Sequence, residues 1–421
     1  MSQLPKPKPG DWRLDNFPSQ PLLPAGLSDL LPPESTRRAA TVERILAGFA
    51  NYGFERVDPP LVEFEETLLP TGQERLNEQS FRLLDPVSRR QLAVRADLTT
   101  QVARIATSRL RSQPRPLRLA YAGDVLRVTA SQLRPARQIF EIGAELLGSD
   151  QLAADIEIMR LAVESLSLLE LGVPLSLDLC FSQLVPELLG QLAPNAARLK
   201  IAEDRDYKNY FMTKPPSVQK YLPLIQAIDG ATGDAQAAVG KLEAISRELA
   251  GMGSAAAAAM IEQIIAQINQ IRAILSAEFS DLSLTVDLIE NRGFDYDGSL
   301  GFSVYGRGIV GELARGGRYV AVGIGYSEPA TGMTIFFDSL LNHLPQLPLP
   351  RRILIPHDLA KATVDSLHQQ GFVTIAHLSQ SKIDAEVARH QNCGHYWSPE
   401  TAAIIAINPD PNQPDQQRKN P

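Results

Sequence analysis

The sequence predicts an α+β fold: an antiparallel sheet flanked by helices, followed by a small C-terminal α/β unit. Three observations point there. Strand-type segments fall in adjacent pairs joined by short polar loops, as at 117–128 and 137–147. Helical periodicity is concentrated elsewhere, above all in one Ala-rich stretch near 182–278. A proline-rich break at 345–350 separates a last short segment that begins again with strand and helix patterns. Strands in hairpins with segregated helices favour an antiparallel sheet over a doubly wound parallel one.

Taken in order, residues 1–23 are rich in proline and polar groups and read as an extended arm. The core spans 24–344. Pro32-Pro33 opens a helix whose stripe is Val42, Ile45, Leu46 and Phe49, and Gly53 is its expected stop. Residues 54–62 read as a strand interrupted by Pro59-Pro60, hence at an edge or interface. Strands at 81–84 and 91–96 and a helix at 99–111 precede the long pair. A helix at 153–171 carries Ile156, Met159, Val163 and Leu166 on one face, and Leu175, Leu177 and Leu179 alternate as a strand. The helical insertion ends in a helix with Ile261, Ile264, Ile265, Ile268 and Leu275 on one face. Strands are expected at 282–288, 301–305 and 321–325, with a helix at 334–342. The α/β unit spans 351–407, and 408–421 has the composition of a disordered tail.

Composition removes several classes of function. The net charge of -7 supplies no global field toward nucleic acid or an anionic membrane. No apolar run is long enough to span a bilayer, and the N-terminus lacks the apolar centre of a secretory signal. Two cysteines, Cys180 and Cys393, build no disulfide framework and fit a reduced, cytoplasmic setting. All six histidines lie at or beyond His343, so acid–base chemistry in the core must use other groups.

Some motifs have ordinary explanations. Residues 306–311 match G-x-G-x-x-G, but Gly316-Gly317 follows too soon for a dinucleotide-binding helix, and a glycine-bearing hairpin turn is expected. His390, Cys393 and His395 are three ligand-type residues without a fourth and read as incidental rather than as a metal site. More informative are charges embedded in apolar strands: Arg95, Asp97, Arg127, Glu141, Glu145, Arg292 and Asp295. Residues 141, 143 and 145 share one strand face, so two carboxylates flank a glycine gap. Singly, each is explained by a solvated face or a structural ion pair. Together they offer carboxylates for an ammonium, an arginine for a carboxylate, and small or aromatic walls, which is what a free zwitterionic amino acid demands.

The same positions resemble the histidyl-tRNA synthetase family of class II. Residues 24–32 resemble its N-terminal motif. Tyr52-Gly53-Phe54 with residues 60–63 resembles motif 1, which builds the family's dimer interface. Arg95-Ala96-Asp97-Leu98-Thr99 is similar to its Arg-Pro-Glu-Gly-Thr segment, and 127–148 to motif 2. Arg292-Gly293-Phe294-Asp295-Tyr296 resembles the histidine-specific motif and 316–319 its companion glycine motif. The resemblance covers about 24–341 and implies a class II synthetase-like core with a histidine pocket. Asp97 and Thr99 would face the ammonium, Glu145 the imidazole and Arg292 the carboxylate, with Tyr296 walling the ring. Glu141 stands where these synthetases have glutamine, and Asp297 where they have a second tyrosine. Arg127 stands at the α-phosphate position and, without ATP, would help hold the ligand's carboxylate.

The ATP half departs from the family. Thr129 replaces an acidic adenine contact, Phe336 a motif 3 glycine and Ser339 the motif 3 arginine. A hydroxyl cannot stand in for a guanidinium on phosphate oxygens. The α/β unit is also too brief for a complete anticodon-binding domain, which argues against tRNA as partner. A retained pocket beside a lost ATP half resembles the synthetase-like regulatory subunits of ATP phosphoribosyltransferase. That implies a non-catalytic chain with no cofactor, homodimeric through its core. It would partner the short catalytic subunit in the first step of histidine biosynthesis, with histidine as feedback effector. A divergent histidyl-tRNA synthetase and a scaffold that binds no ligand are the two other readings.

Overall fold

The computed structural model describes residues 23–69, 74–130, 135–192, 216–289, 300–323, 325–348, 350–379 and 381–407. The chain divides into two compact units, Met1–Pro345 and Gln346–Pro421. In the first, α1 (Glu34–Asn51) buries Val42, Ile45, Leu46 and Phe49 as the periodicity predicts. The chain turns out of it through Gly53 at φ +78°, a left-handed conformation that suits glycine. The expected 54–62 strand is two short ones, β1 (Glu55–Arg56) and β2 (Val62–Phe64), because Pro59 and Pro60 have no N–H to continue a ladder.

After α2 (Glu65–Leu68) and α3 (Glu74–Gln79), β3 (Arg82–Leu84) and β4 (Gln91–Val94) complete a small sheet of order β2-β4-β3. Next come α4 (Thr99–Thr107), β5 (Leu117–Leu126), β6 (Gln138–Leu147), α5 (Leu152–Ser167) and β7 (Leu175–Cys180). The described part of the helical stretch is α6 (Leu184–Leu192), α7 (Pro216–Gln219), α8 (Leu222–Asp229), α9 (Ala235–Gly251) and α10 (Ala255–Glu278). A two-residue strand, β8 (Gly233–Asp234), interrupts it, and the Asp234 carboxylate caps α9 by accepting from Ala237 N at 2.9 Å. Then follow β9 (Ser283–Asp287), β10 (Gly301–Gly306), β11 (Ala314–Gly323), β12 (Tyr326–Phe336) and the single turn α11 (Phe337–Leu340).

These strands form one sheet of order β1-β5-β6-β12-β11-β10-β7-β9-β8. It is antiparallel except where β1 meets β5 and β7 meets β9. Alternation along β6 divides it into two faces. Ile142, Ala144 and Leu146 join α1 and α5 in the main core. Ile139 and Leu147 pack on the other face with Leu119, Tyr121 and the α4 residues Val102 and Ala106. The cleft described below opens on that second face.

Three local expectations are corrected. Residues 334–336, read as the start of a helix, finish β12, where Thr334, Ile335 and Phe336 pair with Gly143, Ile142 and Glu141. β-Branched and aromatic side chains between two strands gain more from the ladder than from a helical turn. Of the stretch 321–325, read as a separate strand, residues 321–323 are the last of β11, where Ala321, Val322 and Gly323 pair with Glu328, Ser327 and Tyr326 of β12. The helix read as 99–111 ends at Thr107, whose Oγ1 bonds back to Ala103 O at 2.8 Å.

The second unit holds β13 (Arg351–Pro356), α12 (Lys361–Gln369), β14 (Phe372–His377), α13 (Ala385–His390), β15 (His395–Ser398) and β16 (Ala403–Ala406). Its sheet order is β14-β13-β15-β16, parallel except for the last pair. Ile353, Ile355, Leu367 and Phe372 pack on one face, and Leu354, Ile383, Ala388 and Cys393 on the other. Helices joining parallel strands and a sheet buried on both faces make this an α/β unit.

Candidate ligand-binding site

The strand registers line up side chains in rows across the sheet. One row reads Tyr121, Gly143, Thr334, Arg315, Ser303, and the next reads Leu119, Glu145, Gly332, Gly317, Gly301. Residues paired across strands share a face, so Glu145 and its row stand over the glycines. Two glycines are obligatory. A Cβ on Gly332 would lie 1.7 Å from Glu145 Oε2, and one on Gly143 would lie 2.2 Å from the Tyr121 ring. The floor is bare so that Glu145 and Tyr121 can fold down over it.

Glu145 is wholly buried. Its Oε2 accepts from Tyr319 Oη at 2.9 Å and its Oε1 from Tyr121 Oη at 3.2 Å. Burial pushes its pKa up to about 8, against the lowering effect of the tyrosine and Thr99 hydroxyls, so the acid is mostly protonated near neutrality. Tyr121 Oη also meets Thr99 Oγ1 at 3.1 Å and Thr334 Oγ1 at 3.0 Å. Burial first, then the Glu145 charge, holds that phenol well above its ordinary range. Donor and acceptor are thus fixed around a carboxyl group that cannot turn away.

Asp97 precedes α4 and accepts from the Thr99 backbone N–H at 2.7 Å, which seats Thr99 at the start of the helix. Desolvation raises the half-buried Asp97 carboxyl, with Arg127 pulling the other way. Arg127 donates to the buried Glu141 at 2.9 Å and, through Nε, to Ala96 O at 3.2 Å. The structure thus links Asp97, Thr99 and Glu145 by hydrogen bonds through Tyr121, and sets the Arg127–Glu141 pair near enough for the Arg127 charge to act on Asp97. Of these, Thr99 and Glu145 line the cleft itself. Arg292 and Tyr296, with Asp297 and the rest of that motif, lie outside the described residues. Arg95 bonds the backbone carbonyls of Asp124 at 2.7 Å and Pro59 at 2.9 Å, a strand-to-loop tie outside the cleft wall.

The other walls are Arg315, Gly316, Gly317, Tyr319, Gly332, Met333 and Thr334, around about 230 Å³ of space including the open mouth. Tyr121, Tyr319, Thr334 and Arg315 were not singled out as site residues from sequence. The signal for Tyr121 was its alternation with Leu119 and Gly123, one aromatic facing one glycine of the next strand. Arg315 carried no signal, since its role depends on a four-strand register.

Two motifs resolve simply. The 306–311 glycine pattern is the β10–β11 hairpin loop, with Gly308 at φ +80° and Gly311 at φ +84°. Cys393 is buried in the small core, and the His395 ring stacks edge-on against Phe372 at 5.0 Å. Among the described residues no group of three or more His, Cys, Asp or Glu is placed to hold a metal ion. Nor is any helix among them long and apolar enough to cross a membrane.

Comparison with known proteins bears on the family and the fold. Residues 26–340 match the family model described as histidyl-tRNA synthetase. A protein of Rhodospirillum centenum named ATP phosphoribosyltransferase regulatory subunit is 41% identical over 386 residues, 90% of this chain and 95% of that one. One of the same name from Paramagnetospirillum magneticum is 40% identical, over 90% of this chain and 96% of its own. Among solved structures, an ATP phosphoribosyltransferase regulatory subunit/histidyl-tRNA synthetase from Bacillus halodurans superposes with a TM-score of 0.69 at 19% identity, covering 90% and 97% of the two chains. Histidyl-tRNA synthetase from Nostoc superposes at 0.64 and 18% identity, covering 92% and 94%. These last two speak for the fold, and the relatives of higher identity for the family. The chain belongs to the family of ATP phosphoribosyltransferase regulatory subunits, built on the histidyl-tRNA synthetase fold.

Proposed function

We propose that this chain binds free histidine in the cleft over the glycine floor and relays its level to a short catalytic ATP phosphoribosyltransferase subunit as feedback inhibition. In this reading Glu145 takes the imidazole N–H, fixed by Tyr121 and Tyr319. Asp97 and Thr99 face the ammonium, and Arg127 and Arg292 the carboxylate, with Tyr296 beside the ring. Glu141 adds little net charge because Arg127 pairs with it, which leaves the cleft suited to a zwitterion. The core associates as a homodimer, and tRNA is not a partner.

The observation that carries the non-catalytic half is the end of β12. Phe336 and Phe337 are buried there, and Phe337 meets the Phe140 ring edge-on at 6.2 Å. Apolar rings and Ser339 occupy the stretch where the resemblance calls for glycine and arginine. Removing one preorganised donor to a developing charge slows catalysis by about 10²–10³. Histidine therefore finds a pocket but no activation chemistry.

The test is co-purification of the chain with a short catalytic subunit, followed by assay of phosphoribosyl-ATP formation with and without histidine. Formation that depends on both chains and falls with histidine supports the reading. Histidine-dependent exchange of pyrophosphate into ATP by this chain alone establishes the synthetase reading instead.

A further inference from the structure

We propose that Arg315 is a specificity-determining residue of the cleft, a guanidinium that binds the ligand's carboxylate and makes the site select an amino acid over its decarboxylated or reduced analogues. The inference rests on the histidine reading above and adds a group that the synthetase resemblance does not assign. That resemblance gives the carboxylate to Arg292 and, in the absence of ATP, to Arg127. Arg315 is a further cation, on the opposite side of the cleft from Glu145.

The register carries the argument. Arg315 pairs with Thr334 on one side and with Ser303 on the other, in the row beside the one containing Glu145, Gly332 and Gly317. Pairing across strands and alternation along them put Arg315 and Glu145 on the same face. They stand two strands and one row apart, roughly 12 Å between Cα atoms at ordinary strand spacing. In the row of Glu145 the floor is Gly332 and Gly317, which carry no side chains, and in the row of Arg315 the short Thr334 side chain is its neighbour on β12. Among the described residues lining the cleft, Glu145 is the one acid and Arg315 the one cation. A ligand with an N–H group at one end and a carboxylate at the other fits that pairing, whereas a simple amine or a simple acid matches only one end.

Arg315 is also held in place. Its Nε donates to Glu312 Oε1 at 2.9 Å, and the same oxygen accepts from Ser303 Oγ at 2.8 Å. Glu312 is buried, so its charge both orients the guanidinium and competes with a ligand carboxylate for it. A planar fork already oriented loses little freedom when a carboxylate arrives, and this is the advantage of arginine over lysine here. The competition has a consequence of its own: neutralising Glu312 should leave carboxylate binding intact or strengthen it.

The experiment is calorimetric titration of the full chain and of its R315Q and E312Q variants with histidine and with histidinol, which has a hydroxymethyl group in place of the carboxylate. Thermal melts confirm that each variant is folded. The inference expects R315Q to weaken histidine binding by about tenfold to a hundredfold, the scale of a lost charged hydrogen bond. It expects histidinol affinity to change by less than about twofold, and E312Q to bind histidine at least as tightly as the unaltered chain. Two results overturn it: R315Q binding histidine normally, or R315Q losing both ligands equally, which is what a purely structural partner of Glu312 would do. Should R315Q not fold, E312Q still decides, because weakened histidine binding in E312Q contradicts the competition. If the unaltered chain binds no histidine at all, the broader reading fails first, and this inference with it.

Discussion

Glu145 is the residue on which most of the chemistry converges, and its burial makes a pH prediction. Its pKa is about 8 in the folded chain against an ordinary 4.5. Between those values the folded state holds a proton that the unfolded state has lost. Stability contributed by that proton is complete below about pH 4.5, falls as pH rises, and is gone above about 8. Glu145→Gln keeps the shape and removes the titration. The melting temperature of the unaltered chain should decline more steeply across that window than that of the variant, and parallel curves would contradict the assignment. Gly332 offers a steric counterpart. Gly332→Ala sets a methyl 1.7 Å from Glu145 Oε2, so the carboxyl must move. The expected cost is about 1–3 kcal/mol in chemical denaturation, together with loss of histidine binding in calorimetry. At this scale Glu145, Glu141 and Arg127 stood out in the sequence, because charge inside apolar strands demands an explanation, whereas Arg315 did not. Nor did the tyrosine hydroxyls, since an aromatic in a strand is ordinary core until its neighbours are known.

Elements place those residues, and one buried ion pair ties two of them together. Arg318 on β11 donates through Nε to Asp155 Oδ2 at 2.8 Å, in the first turn of α5. Asp155 is buried, so its removal leaves a guanidinium facing a desolvated site and slackens the strand that carries Arg315, Gly317 and Tyr319. Asp155→Ala is expected to lower stability by about 3–5 kcal/mol, with Asp155→Leu combined with Arg318→Met recovering most of it. Urea titration measures both, and an Asp155→Ala loss below about 0.5 kcal/mol would show that the pair anchors nothing. Periodicity read the long elements well: α1, β5, β6 and α5 lie where alternation and the helical stripe put them. It failed at the end of β12. Residues 334–342 look helical in isolation, and only the pairing of Thr334 with Gly143 makes the first three strand. Local pattern cannot see a partner strand nearly two hundred residues away.

Across the whole molecule, the sheet packs one face onto α1 and α5 and leaves the other to α4 and the cleft. Hairpins and segregated helices were enough to read that architecture, because each hairpin announces itself over a few dozen residues. The nine-strand order was beyond reach, since it depends on contacts between distant segments. The proposed separation of binding from activation belongs to this scale as well: Glu145 stands on β6, the third strand of nine, and Phe336 and Phe337 close the end of β12. If the proposed relay operates, histidine must bind one state of the assembly better than another, with a coupling of roughly 1–3 kcal/mol. A ligand with equal affinity for both states would shift nothing. The most direct test is the rate of phosphoribosyl-ATP formation by a short catalytic subunit supplied with this chain or its Glu145→Gln variant, across a histidine titration. The account predicts that the unaltered chain supports a rate that histidine suppresses, while the variant supports the rate but resists suppression. Equal suppression with both chains, or a catalytic subunit indifferent to either, would contradict it.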